Sequence, residues 1–340
     1  MTLCPEAKNR LAAAVQEEVP LASDPFAALA AGLSVGADEV LTQLAEWETQ
    51  GSLREISAIL EGEALGYESA LVAARVAPEE IDRVAEVVNR HPTVTHNYQR
   101  DHAYNLWFTL AVPEEMGLER TLSILSAEAD GVAFAPLRRR RTYKIGVRFS
   151  LETSRNDSGV SGAATPVRIR PDERLAAILR ALQTPLPLEP APFGALAAQA
   201  GCDEETFLSW AGALRGRVLR RYAATFRHHH LGVLGNGMVV WRIPEERLDD
   251  AGRRLAEAPE VSHCYARETV PDFPYSLYSM LHAPDEEGVR RTARSLASEV
   301  GVEDYLILFS VREFKKCRLR YLLPELDRWW SERWLAPARP

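Results

Sequence analysis

Apolar residues recur at three- and four-residue spacing in three short runs near the start of the chain: RLAAAVQEE, DPFAALAAGL and GADEVLTQLAEWE. That period predicts amphipathic helices. In the second run Asp24 stands as an N-cap before Pro25 at the first helical position. Two strand-like runs follow, SLREISAIL and SALVAARV, and three helices with a strand pair predict a winged helix-turn-helix. The pattern then predicts a helix from Pro78 to Asn89, strands near VTHNYQR and YNLWFTLAV, a helix over 114–128 and a closing basic strand, TYKIGVRF.

The plan then repeats. ERLAAILRAL, APFGALAAQA and CDEETFLSWAGAL answer the first three helices. GMVVWRI, a helix from Pro244 to Ala258, VSHCYAR, YSLYSML, a helix near 285–299, and then LILFS and FKKCRLRYL answer the rest. Single positions match as well: Pro25, Phe26, Leu29, Pro92, His96, Tyr98 and Arg100 recur 167 positions later as Pro192, Phe193, Leu196, Pro259, His263, Tyr265 and Arg267. The expected fold class is therefore α+β, a tandem repeat of two modules. Each is a winged helix-turn-helix followed by a ferredoxin-like αβ sandwich, from its β-α-β-β-α-β order. The expected boundaries are 1–152 for module one (helix-turn-helix 8–60, ferredoxin-like 61–152) and a linker at 153–172, rich in Ser, Gly, Thr and Pro. Module two takes 173–340, with its helix-turn-helix at 173–226, the ferredoxin-like part at 227–325 and a C-terminal helix at 323–335.

Composition narrows the class. The chain has 340 residues, 46% hydrophobic and 26% charged, enough for two cores. It contains no apolar run near the ~20 residues of a membrane span, and its start lacks the apolar stretch of a secretory signal. Cys4, Cys202, Cys264 and Cys317 are too scattered for a C-x-x-C pair. A cytoplasmic protein with no membrane partner is expected. The net charge of −8 hides basic clusters at Arg138–Arg141 with Lys144 and Arg148, and at Arg312, Lys315, Lys316, Arg318 and Arg320. Such clusters in an acidic chain suit a polyanionic ligand, or a sheet edge kept from aggregating by charge.

A winged helix followed by a ferredoxin-like domain resembles the Lrp/AsnC regulators, so a DNA-binding transcription factor is one alternative and a haem-sensing or haem-binding protein another. The recognition-helix stretch argues against DNA. Residues 36–50 carry Asp38, Glu39, Glu46 and Glu48 and no Lys or Arg, and the second copy opens Asp203-Glu204-Glu205. Phosphate would repel such a helix, so no nucleic-acid partner is expected.

The segments VTHNYQRDHAYNLWFTL, VSHCYARETVPDFPYSLYSMLH, RRYAATFRHHHLGVLGNGMVVW, TYKIGVRF and REFKKCRLRYL resemble the siroheme decarboxylases, Lrp/AsnC-related proteins found as paired subunits or as a two-module fusion. The resemblance implies non-oxidative removal of the C12 and C18 acetate carboxyls of siroheme. The product, 12,18-didecarboxysiroheme, leads to haem d1 or, by the alternative route, to haem b. It implies an iron tetrapyrrole as the substrate partner and an intramolecular pseudo-dimer, with assembly into higher homo-oligomers left open. No cofactor is expected, and no metal of the protein's own, since iron arrives with the siroheme, near His228 or His263.

Losing carbon dioxide from a pyrrole acetate needs a positioned acid, which histidine supplies near neutral pH. On the resemblance, His228 and His263 are the catalytic candidates and His96 the third. Arg227, Arg267 and Arg100 are carboxylate anchors; Tyr265, Tyr98, Tyr278, Trp107, Lys144, Arg148, Lys315 and Arg318 line the substrate. Tyr104 and Tyr275 are further wall candidates, and each of these aromatics also fits sheet packing. His-x-Tyr-x-Arg occurs in both modules, whereas Arg227-His228-His229-His230 aligns with Glu61-Gly62-Glu63-Ala64, which makes module two the catalytic copy. On a strand His228 and His230 would share a face that His229 does not.

Overall fold

The computed structural model describes residues 3–145, 168–226 and 235–334. They form two compact units, and these cut across the modules: both helix-turn-helix parts fall in one unit, both ferredoxin-like parts in the other.

The first unit holds α1 (Pro5–Glu17), α2 (Pro25–Leu33), α3 (Ala37–Thr49) and β1 (Leu53–Leu60), with α6 (Glu173–Leu182), α7 (Phe193–Gln199), α8 (Glu204–Leu214) and β6 (Leu219–Phe226). The expected cap is present: Asp24 accepts from the Ala27 amide at 2.8 Å, ahead of Pro25. Acidic residues at the starts of α3 and α8 work on their own helices. Glu39 accepts from the Gly36 amide at 3.0 Å and Asp203 from that of Thr206 at 2.7 Å. Negative charge is favourable there because unpaired amides and the helix dipole point outward. The wing differs from the expectation. β1 does not pair with SALVAARV; it pairs antiparallel with β6 of the other copy, Ser57 opposite Ala223. Trp47 of the first copy meets Phe226 of the second edge-on, with ring centroids 5.4 Å apart. The two helical triplets therefore share one two-stranded sheet.

The second unit holds β2 (Tyr67–Ala74), α4 (Ile81–Asn89), β3 (His96–Arg100), β4 (Leu106–Pro113), α5 (Leu118–Glu128) and β5 (Phe134–Ile145). From the second module come β7 (Gly235–Trp241), α9 (Leu248–Glu257), β8 (Val261–Arg267), β9 (Leu277–Ala283), α10 (Glu286–Val300), β10 (Tyr305–Lys316) and α11 (Pro324–Trp334). The sheets close into one barrel in the order β10-β3-β4-β2-β5-β8-β9-β7. The long last strand of each module makes the closure. β5 pairs with β2 as far as Arg138 and with β8 of the other module from Arg139; β10 pairs with β7 up to Phe309 and with β3 from Ser310. Two details of the sequence reading change. LILFS and FKKCRLRYL are not two strands, because Tyr305–Lys316 runs unbroken and ends there. The basic strand starts at Phe134, well ahead of TYKIGVRF.

Strand alternation gives each sheet two apolar faces. The outer faces pack under α4 and α5, around Val72, Val84, Phe108 and Leu122, and under α9 and α10, around Trp241, Leu255, Leu281 and Leu296. The inner faces meet inside the barrel, where Ala73, Trp107 and Leu137 of one module pack on Met238, Val240, Phe273, Tyr278 and Leu308 of the other. α11 extends the exchange: its Trp329 joins the core of module one, edge-on to the buried His91 with ring centroids 4.3 Å apart.

At each point where a last strand changes partner, a guanidinium holds it. Arg100 Nη1 donates to the carbonyl of Leu308 at 2.6 Å, and Arg267 Nη1 to that of Leu137 at 3.0 Å. A charge-assisted bond of this kind contributes more than a neutral one. Replacing Arg100 or Arg267 with Met should cost about 1–3 kcal/mol in urea unfolding; an unmoved midpoint in both variants would contradict the pinning.

Burial, and then the charges of Lys315 and Arg333, push the His91 imidazole down from 6.5 to about 3. The folded state keeps this ring neutral where the unfolded chain protonates it. Stability from His91 is thus complete above 6.5 and drains away as pH falls toward about 3. His91→Leu should flatten that part of the stability–pH curve, and a slope identical to wild type would count against it.

Candidate active site

The two His-x-Tyr-x-Arg runs are the backbone of the site. Each lies on the strand that receives the other module's last strand, β3 beside β10 and β8 beside β5. Alternation puts all three side chains of a run on one face. Register identifies that face as the inner one: Tyr98 is opposite Trp107, Tyr265 opposite Tyr278, and His263 opposite Met280. From rim to waist each row reads histidine, tyrosine, arginine. His96 is opposite Lys316, the last residue of β10, and His263 opposite Ile145, the last of β5.

The histidines are half-buried and each is held by the hydroxyl before it. Thr95 Oγ1 lies 3.0 Å from His96 Nδ1, and Ser262 Oγ 2.9 Å from His263 Nδ1. The tyrosines sit one step inward. Burial, and then the carboxylate of Glu313, raise the Tyr98 phenol above its ordinary range. Burial alone raises that of Tyr278, whose hydroxyl has no hydrogen-bond partner. Trp107, 1% exposed, donates Nε1–H to the Tyr104 carbonyl at 2.7 Å. Tyr278 and Trp107 thus belong to the inner core of the barrel, on the face that Tyr98 and Tyr265 share.

Arg100 and Arg267 lie deepest. Arg100 stands over the Tyr98 ring at 5.5 Å; Arg267 stands over Tyr265 at 5.2 Å and Tyr278 at 5.6 Å. Burial pushes the Arg100 guanidinium down to about 10 and lowers that of Arg267 as well. Neither has a carboxylate within ion-pair distance among the described residues, and the Nε of each is buried without a hydrogen-bond partner. Their direct bonds go to main-chain carbonyls, so the carboxylate-anchor role expected of them is joined to a structural one.

Both candidate lysines bond main-chain carbonyls. Lys144, 1% exposed, donates Nζ–H to the Ala258 carbonyl at 2.8 Å, just past α9; Lys315 donates to that of Asn89 at 2.8 Å, at the end of α4. Both close helix ends that leave carbonyls unpaired. Much of the basic cluster is also partnered. Arg138 pairs with Glu119 at 2.5 Å, Arg140 with Glu245 at 2.7 Å, Arg141 with Asp249 at 2.6 Å and Arg312 with Asp82 at 2.6 Å. Four arginines of these runs thus have a carboxylate partner within the chain. Arg318 lies half-buried between β10 and α11. Arg148, Arg227, His228, His229 and His230 lie outside the described residues.

A cavity of about 400 Å³ opens beside Arg267, lined also by Arg140, Arg242, Pro244, Glu245, Pro274 and Ser276. Arg140 and Arg242 already hold Glu245 and Asp304. Tyr275 donates to Asp304 at 3.2 Å, while Tyr104 lies under the Arg75 guanidinium at 4.5 Å. Sequence reasoning missed two features. The first is Phe273, buried against Trp107 and Tyr104 from the loop 268–276, which is longer than its counterpart 101–105. The second is His282, whose Nε2 lies 2.6 Å from Ser262 Oγ. A signal for His282 existed: a polar residue ending the apolar strand run YSLYSML.

The family model described as the siroheme decarboxylase NirDL-like HTH domain matches residues 8–54 and 176–220, and that of the AsnC-like ligand binding domain matches 64–144 and 230–315. A siroheme decarboxylase of Hydrogenobacter thermophilus is 36% identical over 94% of this chain and 96% of its own. The siroheme decarboxylase NirDL subunit of Paracoccus pantotrophus is 35% identical over 90% and 94%. The crystal structure of the siroheme decarboxylase NirDL in co-complex with an iron-uroporphyrin III analogue superposes with a TM-score of 0.78, at 32% identity, covering 97% of this chain and 99% of that one. With both domain types matched twice, in the same order and nearly end to end, the chain belongs to the siroheme decarboxylase family.

Proposed function

We propose that this member of a carboxy-lyase family removes the C12 and C18 acetate carboxyls of siroheme, giving 12,18-didecarboxysiroheme and carbon dioxide for haem d1 or the alternative route to haem b. The observation that carries the reading is the pair of inward histidine–tyrosine–arginine rows, on a chain whose full-length relatives are siroheme decarboxylases. The two buried guanidiniums give the barrel interior a positive charge that no described carboxylate neutralises. A macrocycle ringed by carboxylates supplies the complementary charge. The relative with a bound iron-uroporphyrin analogue supports a tetrapyrrole ligand.

In each half-reaction the bond between the acetate methylene and its carboxylate breaks, and carbon dioxide leaves. The electron pair stays on the methylene carbon and spreads into the macrocycle, and a proton from an acid makes the methyl group. Electrons balance without an oxidant, so no cofactor is invoked. His263 is the acid we favour, because it heads an inward row on the strand that receives the other module's β5 and Ser262 steadies its ring at Nδ1. His228, outside the described residues, stays a catalytic candidate on the family resemblance, and His96 is the third. A regulator role would need duplex DNA to meet the acidic starts of α3 and α8.

Anaerobic incubation with siroheme, followed by mass analysis, should show two successive losses of carbon dioxide. Siroheme returned unchanged with only a Soret shift would favour a binding protein, and a tight salt-sensitive complex with specific DNA a regulator. Replacing His263 or His228 with Ala should lower the rate ~10²–10⁴-fold, whereas His229→Ala should do little. Near-wild-type rates for both His263→Ala and His228→Ala would move the acid elsewhere, with His96 next.

A further inference from the structure

The two histidine rows open at one end of the barrel. In either direction around it four strand steps separate β3 from β8, and every step is antiparallel. An even number of reversals leaves the two strands running the same way. β3 runs from His96 to Arg100 and β8 from Val261 to Arg267, so His96 and His263 stand at the same mouth, with both arginines below them. The order β10-β3-β4-β2 is repeated by β5-β8-β9-β7 after half a turn. A pseudo-twofold axis therefore runs down the barrel and relates the rows. The rim contacts agree. Burial, and then the charge of Lys316, lower the pKa of His282; Lys316 is opposite His96, while His282 touches Ser262, the neighbour of His263.

Below the mouth the space is taken. Trp107, Met238, Val240, Tyr278 and Leu308 are buried and pack together from both modules. An eight-stranded barrel has room inside for side chains or for one small ligand. With the interior filled, a flat tetrapyrrole can meet the rows only at the mouth, where the half-buried His96, Tyr98, His263 and Tyr265 remain within reach. One macrocycle there faces both rows. Siroheme has a matching symmetry on one side. Across its C5–C15 line the C and D rings mirror each other, acetate C12 and propionate C13 against acetate C18 and propionate C17. A half-turn about that line exchanges the two acetates that the proposed reaction removes.

We propose that the two rows form a single site for one siroheme, which stands with its C5–C15 line along the barrel axis, so that His96 serves one of the two acetates and His263 the other. This rests on the decarboxylase reading. Each loss breaks one methylene–carboxylate bond and consumes one proton, delivered from the histidine on its own side. Two carbon dioxides leave, and the macrocycle does not turn round between them. The walls fix which way it stands. β10 places Glu313 opposite Tyr98 and Lys316 opposite His96, where β5 places Thr142 opposite Tyr265 and Ile145 opposite His263. A charged wall thus faces an uncharged one, and the A and B rings of siroheme, unlike C and D, are not exchanged by the half-turn.

The test uses the full-length chain. Titration with iron uroporphyrin III, read by its Soret band, should saturate at one macrocycle per chain; saturation at two would overturn the proposal. With siroheme under anaerobic conditions, His96→Gln and His263→Gln should each release one carbon dioxide at near the wild-type rate. The second loss, and hence the complete reaction, should be ~10²–10⁴-fold slower. NMR of the accumulated products should find the surviving acetate at C12 in one variant and at C18 in the other. The same acetate surviving in both, both losses blocked in either variant, or two losses at the wild-type rate in either would overturn the pairing. A protein that saturates at one macrocycle yet returns siroheme unchanged would sink the functional reading and leave the single mouth standing. One that saturates at two and still releases two carbon dioxides would sink the proposal alone.

Discussion

The second unit depends on one event, the change of partner along β5 and β10. Each module has a sheet that ends unfinished, and each sends its last strand into the other's. The main-chain hydrogen bonds of β3 and β8 therefore come from the opposite half of the chain. Arg100 and Arg267 bond the carbonyls of Leu308 and Leu137 where the strands cross over. Such a buried cation is costly without compensation; here the tyrosine faces and the carbonyl offset part of that cost. Lys144 and Lys315 repeat the theme further along, each on a last strand and each closing a helix end of the other module.

That constraint places the candidate chemistry. A His-x-Tyr-x-Arg run on a receiving strand has its arginine at the crossover and its histidine at the rim. The fusion gives two such rows in one barrel, alike in the hydroxyl that holds Nδ1 and unlike in what lies behind it: Thr109 in one, His282 in the other. Two copies under one fold can diverge in this way without disturbing the barrel, because the differing groups lie on β4 and β9, away from the crossover.

Much of this was legible in the sequence. The 167-residue offset and the apolar periods of three to four and of two predicted the element order, the tandem plan and the Asp24 cap, because these are local consequences of side-chain spacing. The repeated His-x-Tyr-x-Arg runs were legible from the same offset, but not that they face the barrel interior, which only the register shows. Pairing was not legible. Nothing local in SLREISAIL says that its partner is RRYAATF instead of SALVAARV, and a strand that changes neighbours midway reads like any other strand. The same gap explains the lysines and arginines. Charge counts showed clusters but not that Arg140 would meet Glu245, about a hundred positions on, or that Lys144 would reach a helix end. The contact of His282 with Ser262 was hidden because it lies beside a bulge, which shifts register by one residue and leaves no periodic trace.

The measurement that bears most directly on the exchanged strands is the fate of the chain after one cut. A protease site placed within residues 153–167 of the full-length protein separates the modules covalently and touches no described element. If each half completes the other's sheet, the two fragments should migrate as one particle of the intact mass and part only under denaturing conditions, since separation would bare Trp107, Leu137, Val240 and Leu308 together with open strand edges. Two folded, separately migrating monomers in native buffer would contradict the account.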